Sequence, residues 1–515
     1  MRVLLVSTYE LGHQPVHVAS PGAALRSAGH DVRALDVSIE PWDRDLVEWA
    51  DGVAFSVPMH TAMRMALALA TTVRAQRPDL PICLYGLYAG MSRDSTVGGV
   101  ADRVIIGEYE PALVAWADGT SGARVPASAE DVVVQLGRGG FETPARDLLP
   151  PLDRYARLVI GDEERLAGAV EASHGCSHRC RHCPLPVVYD GRLRVVPEQV
   201  VLSDVSQLVA MGARHITFGD PDFLNGPRHA VRVAQAIHSS FPDLSFDCTT
   251  KVEHILDHED LWSGLAKVGC LFVVSAFESV DDKTLRILDK GHTAANESAA
   301  VTLLRSHGIE VRPSWLPFTP WTQAAEVDAM LDFVISHDLV RNVDAVQYTI
   351  RLLVPEGSLL LSVPEVKGRL EYYDATRLSW IWTSEDAGLD ELQEELAALV
   401  EAAGAQSALS AAEDTFKEVD ARVRVYMASH GTRTGAAAPR RGSRSSGPTG
   451  PRPRLSEPWF CCSEPTSIQR QTVGADMNDV QAEFGLGNAV PPRASLRAGS
   501  AAHRFGRASG PARCN

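Results

Sequence analysis

No stretch of 18 consecutive apolar residues occurs in this chain, which leaves no candidate for a membrane-spanning helix. The opening MRVLLVSTYELG is too short in its apolar part for a signal peptide and reads as a first strand and its loop. A cytoplasmic protein with no membrane partner is the expectation. Cysteine is scarce, nine in 515 residues, and three of the nine fall within eight positions. That distribution argues against a disulfide framework and suits a reducing compartment. A basic surface is also missing: 49 Lys and Arg stand against 65 Asp and Glu, a formal net charge of −16. A phosphate backbone needs clustered cations, so no nucleic-acid partner is expected. What is present is ordinary globular composition, 45% hydrophobic and 22% charged, over a length that suffices for two or three domains.

The organising stretch is CSHRCRHC, with Cys176, Cys180 and Cys183 at C-x3-C-x2-C spacing. Three thiolates on one loop leave a four-iron, four-sulfur cluster one ligand short, and the bare iron is then free to bind a substrate or cofactor. A zinc site wants a fourth Cys or His, usually in a second pair further on. The next cysteine, Cys248, stands alone, although His174, His178 and His182 could complete a zinc knuckle.

The spacing resembles that of the radical S-adenosylmethionine (radical SAM) superfamily, and three further segments extend the resemblance over about 120 residues. His182 fills the position before the third cysteine, which in the family packs near the adenine. FGDPDFL (Phe218 to Leu224) resembles the end of the second barrel strand, where Asp220 matches the acidic residue that meets the methionine amino group. VVSAFESVDDKTLRILDKGHT (Val273 to Thr293) is similar to the strand, Glu-Ser and Lys-Gly-His-Thr segment of members with a cobalamin-binding-type domain at the N-terminus. The resemblance implies a 4Fe-4S cluster on the three cysteines, S-adenosylmethionine near His182, Asp220, Glu278 and Lys290, and an electron donor of flavodoxin or ferredoxin type.

Each residue also has a plainer reading. Asp220 could cap the turn that Pro221 begins, Glu278 could be a satisfied buried carboxylate, and Lys290 and Arg351 could be solvated cations. Cys248 and Cys270 sit on or beside apolar strands, where a free cysteine behaves as a small buried hydrophobe.

Residues 1–140 alternate strand and helix signals: RVLLVS, a helix from Pro21 to Gly29, DVRALDVS, GVAFSV, a helix from Thr61 to Arg77, ICLYG and RVIIGEYEP. The rhythm predicts a doubly wound, Rossmann-like α/β sheet with a crevice at the carboxyl ends of its strands. It resembles the cobalamin-binding-type domain of relatives, including the turn with Gly107, Glu108 and Glu110. The Asp-x-His-x-x-Gly signature that gives cobalt a histidine is absent, so both a domain holding cobalamin without that ligand and an empty domain remain open. His13 and His17 read as solvated loop residues.

A linker over 141–165 contains Pro150-Pro151, which continues neither helix nor central strand. Residues 166–370 return to alternation, with strands AVEAS, HITFGD, LSFDCTT, LFVVSAF, IEVRPSWLPF and VQYTIRLLV and helices over 197–211, 227–241, 256–268, 283–288 and 324–337. This predicts a partial (β/α)6 TIM-like barrel whose chemistry lies at the carboxyl ends of the strands. A helical cap over 371–430 follows, carrying Tyr372, Tyr373, Trp380, Trp382 and LDELQEELAALVEAA.

From Gly431 the chain turns rich in Gly, Pro, Ser and Arg, with 12 Arg, no Lys and five acidic residues against 37 basic and 60 acidic before it. A disordered tail over 431–515 is expected, and its basic charge could dock on the acidic body. Within it lies EPWFCCSEPT, whose Cys461-Cys462 pair suggests redox or thiol chemistry. The island resembles the Cys-Cys-Ala-Glu-Pro, or selenocysteine-Ala-Glu-Pro, tail of a small radical SAM family. Ser463 replaces the alanine and 49 residues follow Thr466. A short sticky peptide without chemistry, or a read-through extension, is the plainer account.

Together these features predict an enzyme that cleaves S-adenosylmethionine reductively and uses the 5′-deoxyadenosyl radical on an unidentified small-molecule or peptide substrate. Cobalamin-dependent methyl transfer is the alternative reaction, and a non-catalytic iron–sulfur redox sensor the alternative of another class.

Overall fold

The computed structural model describes residues 1–91, 99–120, 132–137, 140–404, 410–430 and 451–457. Its first sheet is six-stranded, in the order β2-β1-β3-β4-β5-β6, formed by Arg2–Ser7, Asp31–Asp36, Gly52–Ser56, Ile82–Tyr85, Arg103–Gly107 and Val132–Gln135 in chain order. All pairings are parallel. Strands β1, β3 and β4 are almost wholly buried, as expected of apolar runs covered on both faces. The order reverses direction between β1 and β3, so the ligand crevice of this doubly wound sheet lies beyond the ends of those two strands. The first helix runs Val16–Ser27 and contains Pro21, five residues earlier than the Pro21 start that the sequence suggests. Proline has no N–H for the carbonyl of His17, and the Tyr85 hydroxyl donates to that oxygen instead, at 2.8 Å.

The second sheet runs β14-β13-β12-β11-β8-β7-β17, with β7 at Arg157–Ile160 and β17 at Arg454–Leu455. Five strands are parallel: β8 (Glu163–Val170), β11 (His215–Phe218), β12 (Ser245–Thr249), β13 (Cys270–Glu278) and β14 (Glu310–Trp315). They form the expected half-barrel, with a core of Val170, Ile216, Phe218, Cys248, Val273 and Phe277 against the apolar faces of the surrounding helices. The helix Pro227–Ser240 illustrates the fit: proline occupies its first turn, and Ala230, Val233, Ala234 and Ile237 bury one stripe. Cys248 and Cys270 are buried apolar fillers, as read from the sequence.

Four details differ from the sequence reading. The sixth barrel strand reduces to a bridge between Phe318 and Arg351. Ala345–Tyr348 winds into a 3-10 turn, and Gln347 places its side-chain oxygen 2.9 Å from the Trp315 N–H that a sixth strand would have used. The helix over 256–268 is two helices, Val252–Asp257 and Trp262–Lys267, because the Trp262 indole donates to the Ile255 carbonyl at 2.9 Å and interrupts the ladder. The cap begins with a hairpin, β15 (Leu370–Asp374) and β16 (Ser379–Trp382), before the helices Ala387–Gly404 and Ser410–Ser429. Arg351 is not a solvated cation: it pairs with Asp390 and lies over the Trp382 ring, 3.5 Å from its centroid.

A further difference is in the tail. Residues 451–457 are ordered on the body, and β17 (Arg454–Leu455) pairs antiparallel with β7 (Arg157–Ile160), itself hairpinned to β8. Arg452 is buried between Glu310 and Asp338, so the described segment of the tail docks on the body through two carboxylates. Glu457 accepts from the Tyr9 hydroxyl at 2.9 Å in the first loop of the N-terminal sheet. Cys461 and Cys462 lie outside the described residues.

The two sheets are joined by Arg146, in the linker, whose side chain is fully buried. It donates to both oxygens of Asp204 at 2.8 Å, to the Ala169 carbonyl at 2.6 Å and to the Gln14 carbonyl at 3.2 Å. One guanidinium thereby holds the first loop of the N-terminal sheet, the first barrel strand and the helix Glu198–Ala210 together.

Candidate functional site

The chain leaves β8 through Glu171 and Ala172, forms β9 (Ser173–Gly175) and enters the cysteine loop. Gly175 is required at this bend: its φ is +80°, and a Cβ there would stand 2.2 Å from the Arg192 carbonyl. Cys176 and Cys180 are buried and Cys183 is half-buried. The loop is held on every side. Ser177 donates to Asn225 at 2.7 Å, the Arg181 N–H donates to the Leu288 carbonyl at 2.8 Å, and the Arg181 side chain donates to Ile287 at 2.9 Å. Among the described residues the three thiols do not form a group with ligand atoms within 4.8 Å of one another. Three thiolates on one loop are the donor set of a multi-iron cluster with one iron left open.

His182, Glu278 and Lys290 come together beside this loop. Glu278 ends β13 at a register shift, with φ +69°, a conformation that costs a non-glycine residue strain and that tends to occur where a site needs it. Its Oε1 lies 3.3 Å from Lys290 Nζ and 3.2 Å from His182 Nε2. Burial acts to raise the Glu278 pKa, but the Lys290 ammonium and His182 hold it at about 2, so the carboxylate stays ionised. Burial works against the Lys290 charge too, and Glu278, Cys180 and Cys183 outweigh it and raise its pKa. Lys290 is therefore a buried cation facing the cysteine loop and not a solvated one.

Asp220 lies at the base of the loop. Its oxygens accept from the Ala172 N–H at 2.8 Å and the Ser173 hydroxyl at 2.5 Å, and burial raises its pKa to about 7. These bonds fasten the strand that delivers the cysteines, in place of the local turn cap that its Asp-Pro sequence suggests.

The N-terminal sheet meets the same loop through His174. Its Nδ1 is 3.1 Å from Glu108, just beyond β5, and its Nε2 is 3.2 Å from Glu171, just beyond β8. His17 joins them, 3.5 Å from Glu171 and 2.7 Å from the Tyr109 hydroxyl. His13 and His17 are thus not solvated: burial lowers the pKa of both, that of His13 to about 4. The crest of the first sheet also carries buried groups without a hydrogen-bond partner, Ser7 Oγ, Glu10 Oε1 and His13 Nδ1.

Residues 170–321 match the model of the radical SAM superfamily, and residues 2–117 match that of the B12 binding domain. This chain joins a B12-binding domain to a radical SAM domain. It is 23% identical over 324 residues to the hopanoid C-3 methylase of Methylococcus capsulatus, an alignment that takes in 60% of the chain and spans 62% of that relative's length. Among solved structures it resembles the cobalamin-dependent S-adenosylmethionine radical enzyme OxsB with aqua-cobalamin and S-adenosylmethionine bound, at TM-score 0.60 and 13% identity over 83% of this chain and 71% of OxsB. It also resembles the radical S-adenosylmethionine methyltransferase TsrM from Kitasatospora setae, at TM-score 0.51 and 18% identity over 65% and 73% of the two chains. At these identities the likeness is one of fold.

The radical SAM domain implies a 4Fe-4S cluster and S-adenosylmethionine, together with a reductant and a substrate. The orphaned polar atoms on the crest of the B12-binding domain fit a polar ligand such as a corrinoid at the β1/β3 switch point. Beyond the predicted residues, the surroundings of the cysteine loop contain Glu171, Asp222, Glu253 and His254, while Glu108 belongs to the Gly107–Glu110 turn already named. Asp222 lay within the FGDPDFL segment, two residues past Asp220; the others had no local signal.

Proposed function

We propose that this protein is a cobalamin-dependent radical SAM enzyme that transfers a methyl group to an unactivated carbon of its substrate. The observation that carries the reading is the contact of His174, two residues before Cys176, with Glu108 of the B12-binding domain. It sets the cysteine loop against the strand ends where a corrinoid would lie, so that two cofactor sites share one interior. The methylase relative supports the choice of reaction.

In this reading Cys176, Cys180 and Cys183 hold the cluster, while His182, Asp220, Glu278 and Lys290 shape the S-adenosylmethionine site. When bound, the cluster and S-adenosylmethionine supply reductive cleavage of a sulfur–carbon bond, and cobalamin supplies methyl transfer. The chain's own part is to fix and desolvate. Glu278 presents an ionised acceptor because Lys290 and His182 neutralise it in place. Asp220 holds the start of the cysteine loop through Ala172 and Ser173. Arg146 keeps the two domains in register so that the shared interior excludes water. A flavodoxin or ferredoxin type of protein is the proposed electron donor.

Anaerobic reconstitution with iron, sulfide and hydroxocobalamin tests the reading. The expected result is about four irons per chain, a near-stoichiometric corrinoid spectrum, and 5′-deoxyadenosine and S-adenosylhomocysteine on reduction with substrate. Absence of the corrinoid removes methyl transfer. A cluster that cycles without 5′-deoxyadenosine identifies a redox sensor instead.

A further inference from the structure

Beside the cysteine loop, three side chains from three elements converge. His178 lies inside the loop between Cys176 and Cys180, Asp222 lies just beyond β11, and His254 is in the helix Val252–Asp257 that follows β12. Asp222 Oδ2 is 2.7 Å from His254 Nδ1 and 3.4 Å from His178 Nε2. One ligand atom from each lies within 4.8 Å of the other two, and this is the one such group among the described residues. We propose that His178, Asp222 and His254 form a site for a single divalent transition ion of the zinc class, separate from the thiolates.

Three observations carry this beyond an ordinary hydrogen-bonded triad. First, Asp222 is 1% exposed, yet neither of its oxygens accepts an aligned hydrogen bond, and His178 Nε2 and His254 Nδ1 are likewise buried without one. The atoms are close without the alignment that a shared proton demands, whereas lone pairs aimed at a common point are what an ion uses. The two imidazoles offset part of this carboxylate's burial cost as ion pairs, but the misaligned lone pairs stay unsatisfied until a cation joins them. Second, two imidazoles and one carboxylate are the donors that zinc, cobalt(II) and iron(II) prefer, while calcium and magnesium favour all-oxygen sets. Three protein ligands also leave a coordination position open, as in catalytic zinc sites. Third, Glu253 Oε2, which accepts from Lys251 Nζ at 3.1 Å, lies 3.6 Å from the other nitrogen of His178, within a small shift of the outer-carboxylate position beside a ligating imidazole. The ion would tie the cysteine loop to the ends of two barrel strands.

The test uses the full chain, reconstituted anaerobically with iron and sulfide, equilibrated with zinc and freed of unbound metal. About one zinc per chain beside about four irons is expected. Cobalt(II) in its place should show ligand-field bands without thiolate-to-cobalt charge transfer. Asp222→Asn and His254→Gln should keep the iron and lower retained zinc about tenfold or more. Zinc below about 0.1 per chain in the wild-type protein, cobalt bound through thiolate, or unchanged zinc in both variants overturns the proposal. Loss of S-adenosylmethionine binding in the variants, with no zinc in the wild type, assigns the triad to the cofactor and overturns it as well. The iron count tests the proposed function separately, so failure of the cluster and failure of this site are told apart. If the variants lose iron together with zinc, the wild-type cobalt spectrum alone decides.

Discussion

The two parallel sheets end in unlike ways. At the carboxyl edge of the half-barrel, outside the His178, Asp222 and His254 group, the charged groups are matched: Glu278 with Lys290 and His182, Asp220 with Ala172 and Ser173. At the carboxyl edge of the B12-binding domain, Ser7, Glu10 and His13 keep buried atoms unmatched, and burial pushes the Glu10 pKa well up. The same layering of strands and helices therefore serves two purposes. One edge is organised by its own side chains before any cofactor arrives, and the other keeps hydrogen-bonding capacity in reserve for a ligand.

The contrast can be broken from the barrel side first. Cys180→Ala should abolish both cluster assembly and 5′-deoxyadenosine formation, read by iron content and product analysis, while leaving corrinoid uptake intact if the two edges are independent. Arg146→Ala removes the link between them and strands Asp204 as a buried charge. A loss of about 3–5 kcal/mol in denaturant unfolding is expected, and a fall below about 1 kcal/mol would show that the linker cation is dispensable. Glu278→Gln leaves Lys290 buried without an anion and should slow S-adenosylmethionine cleavage about 100-fold with the cluster retained.

The reserve on the other edge predicts smaller effects. Hydroxocobalamin at 100 times its dissociation constant should stabilise the wild-type protein by about 2.7 kcal/mol in thermal or denaturant unfolding. Glu10→Gln in the corrinoid-free protein sharpens the same point through pH. A carboxyl whose folded pKa lies above its unfolded value contributes stability below the unfolded value, and that contribution is lost as pH rises through the folded value. The variant should therefore equal the wild type near pH 4 and be more stable by about 1–3 kcal/mol at pH 8. Equal stability at both pH values would place Glu10 in contact with water.

The cysteine spacing, the alternating strands and the Val273–Thr293 segment were legible because each is local: a few neighbouring positions carry the whole signal. His182, Glu278 and Lys290 were named through resemblance, and the structure brings them into one group. Arg146, the Glu108–His174 contact and the Asp222–His254 pair left no trace in the sequence, since each joins residues from different elements whose partners only the folded sheet selects. The sixth barrel strand was misread for the opposite reason. VQYTIRLLV has the composition of a buried strand, but Gln347 captures the Trp315 N–H and the segment turns before it can pair. Pro21 misled in the same manner, because the Tyr85 hydroxyl replaces the hydrogen bond that a proline forfeits.

The pairing of β17 with β7 has a bearing on how the chain is made. Leu158 and Leu455 face each other across about 300 residues, so this outer edge cannot close until residue 455 has left the ribosome. Until then β7 offers a row of free backbone donors and acceptors, the kind of edge on which partly folded chains associate. Arrival of Arg452, with Glu310 and Asp338 waiting for its charge, is the event that closes this edge. Ribosome-bound chains stopped before residue 451 should thus be more prone to aggregate than chains stopped after residue 457.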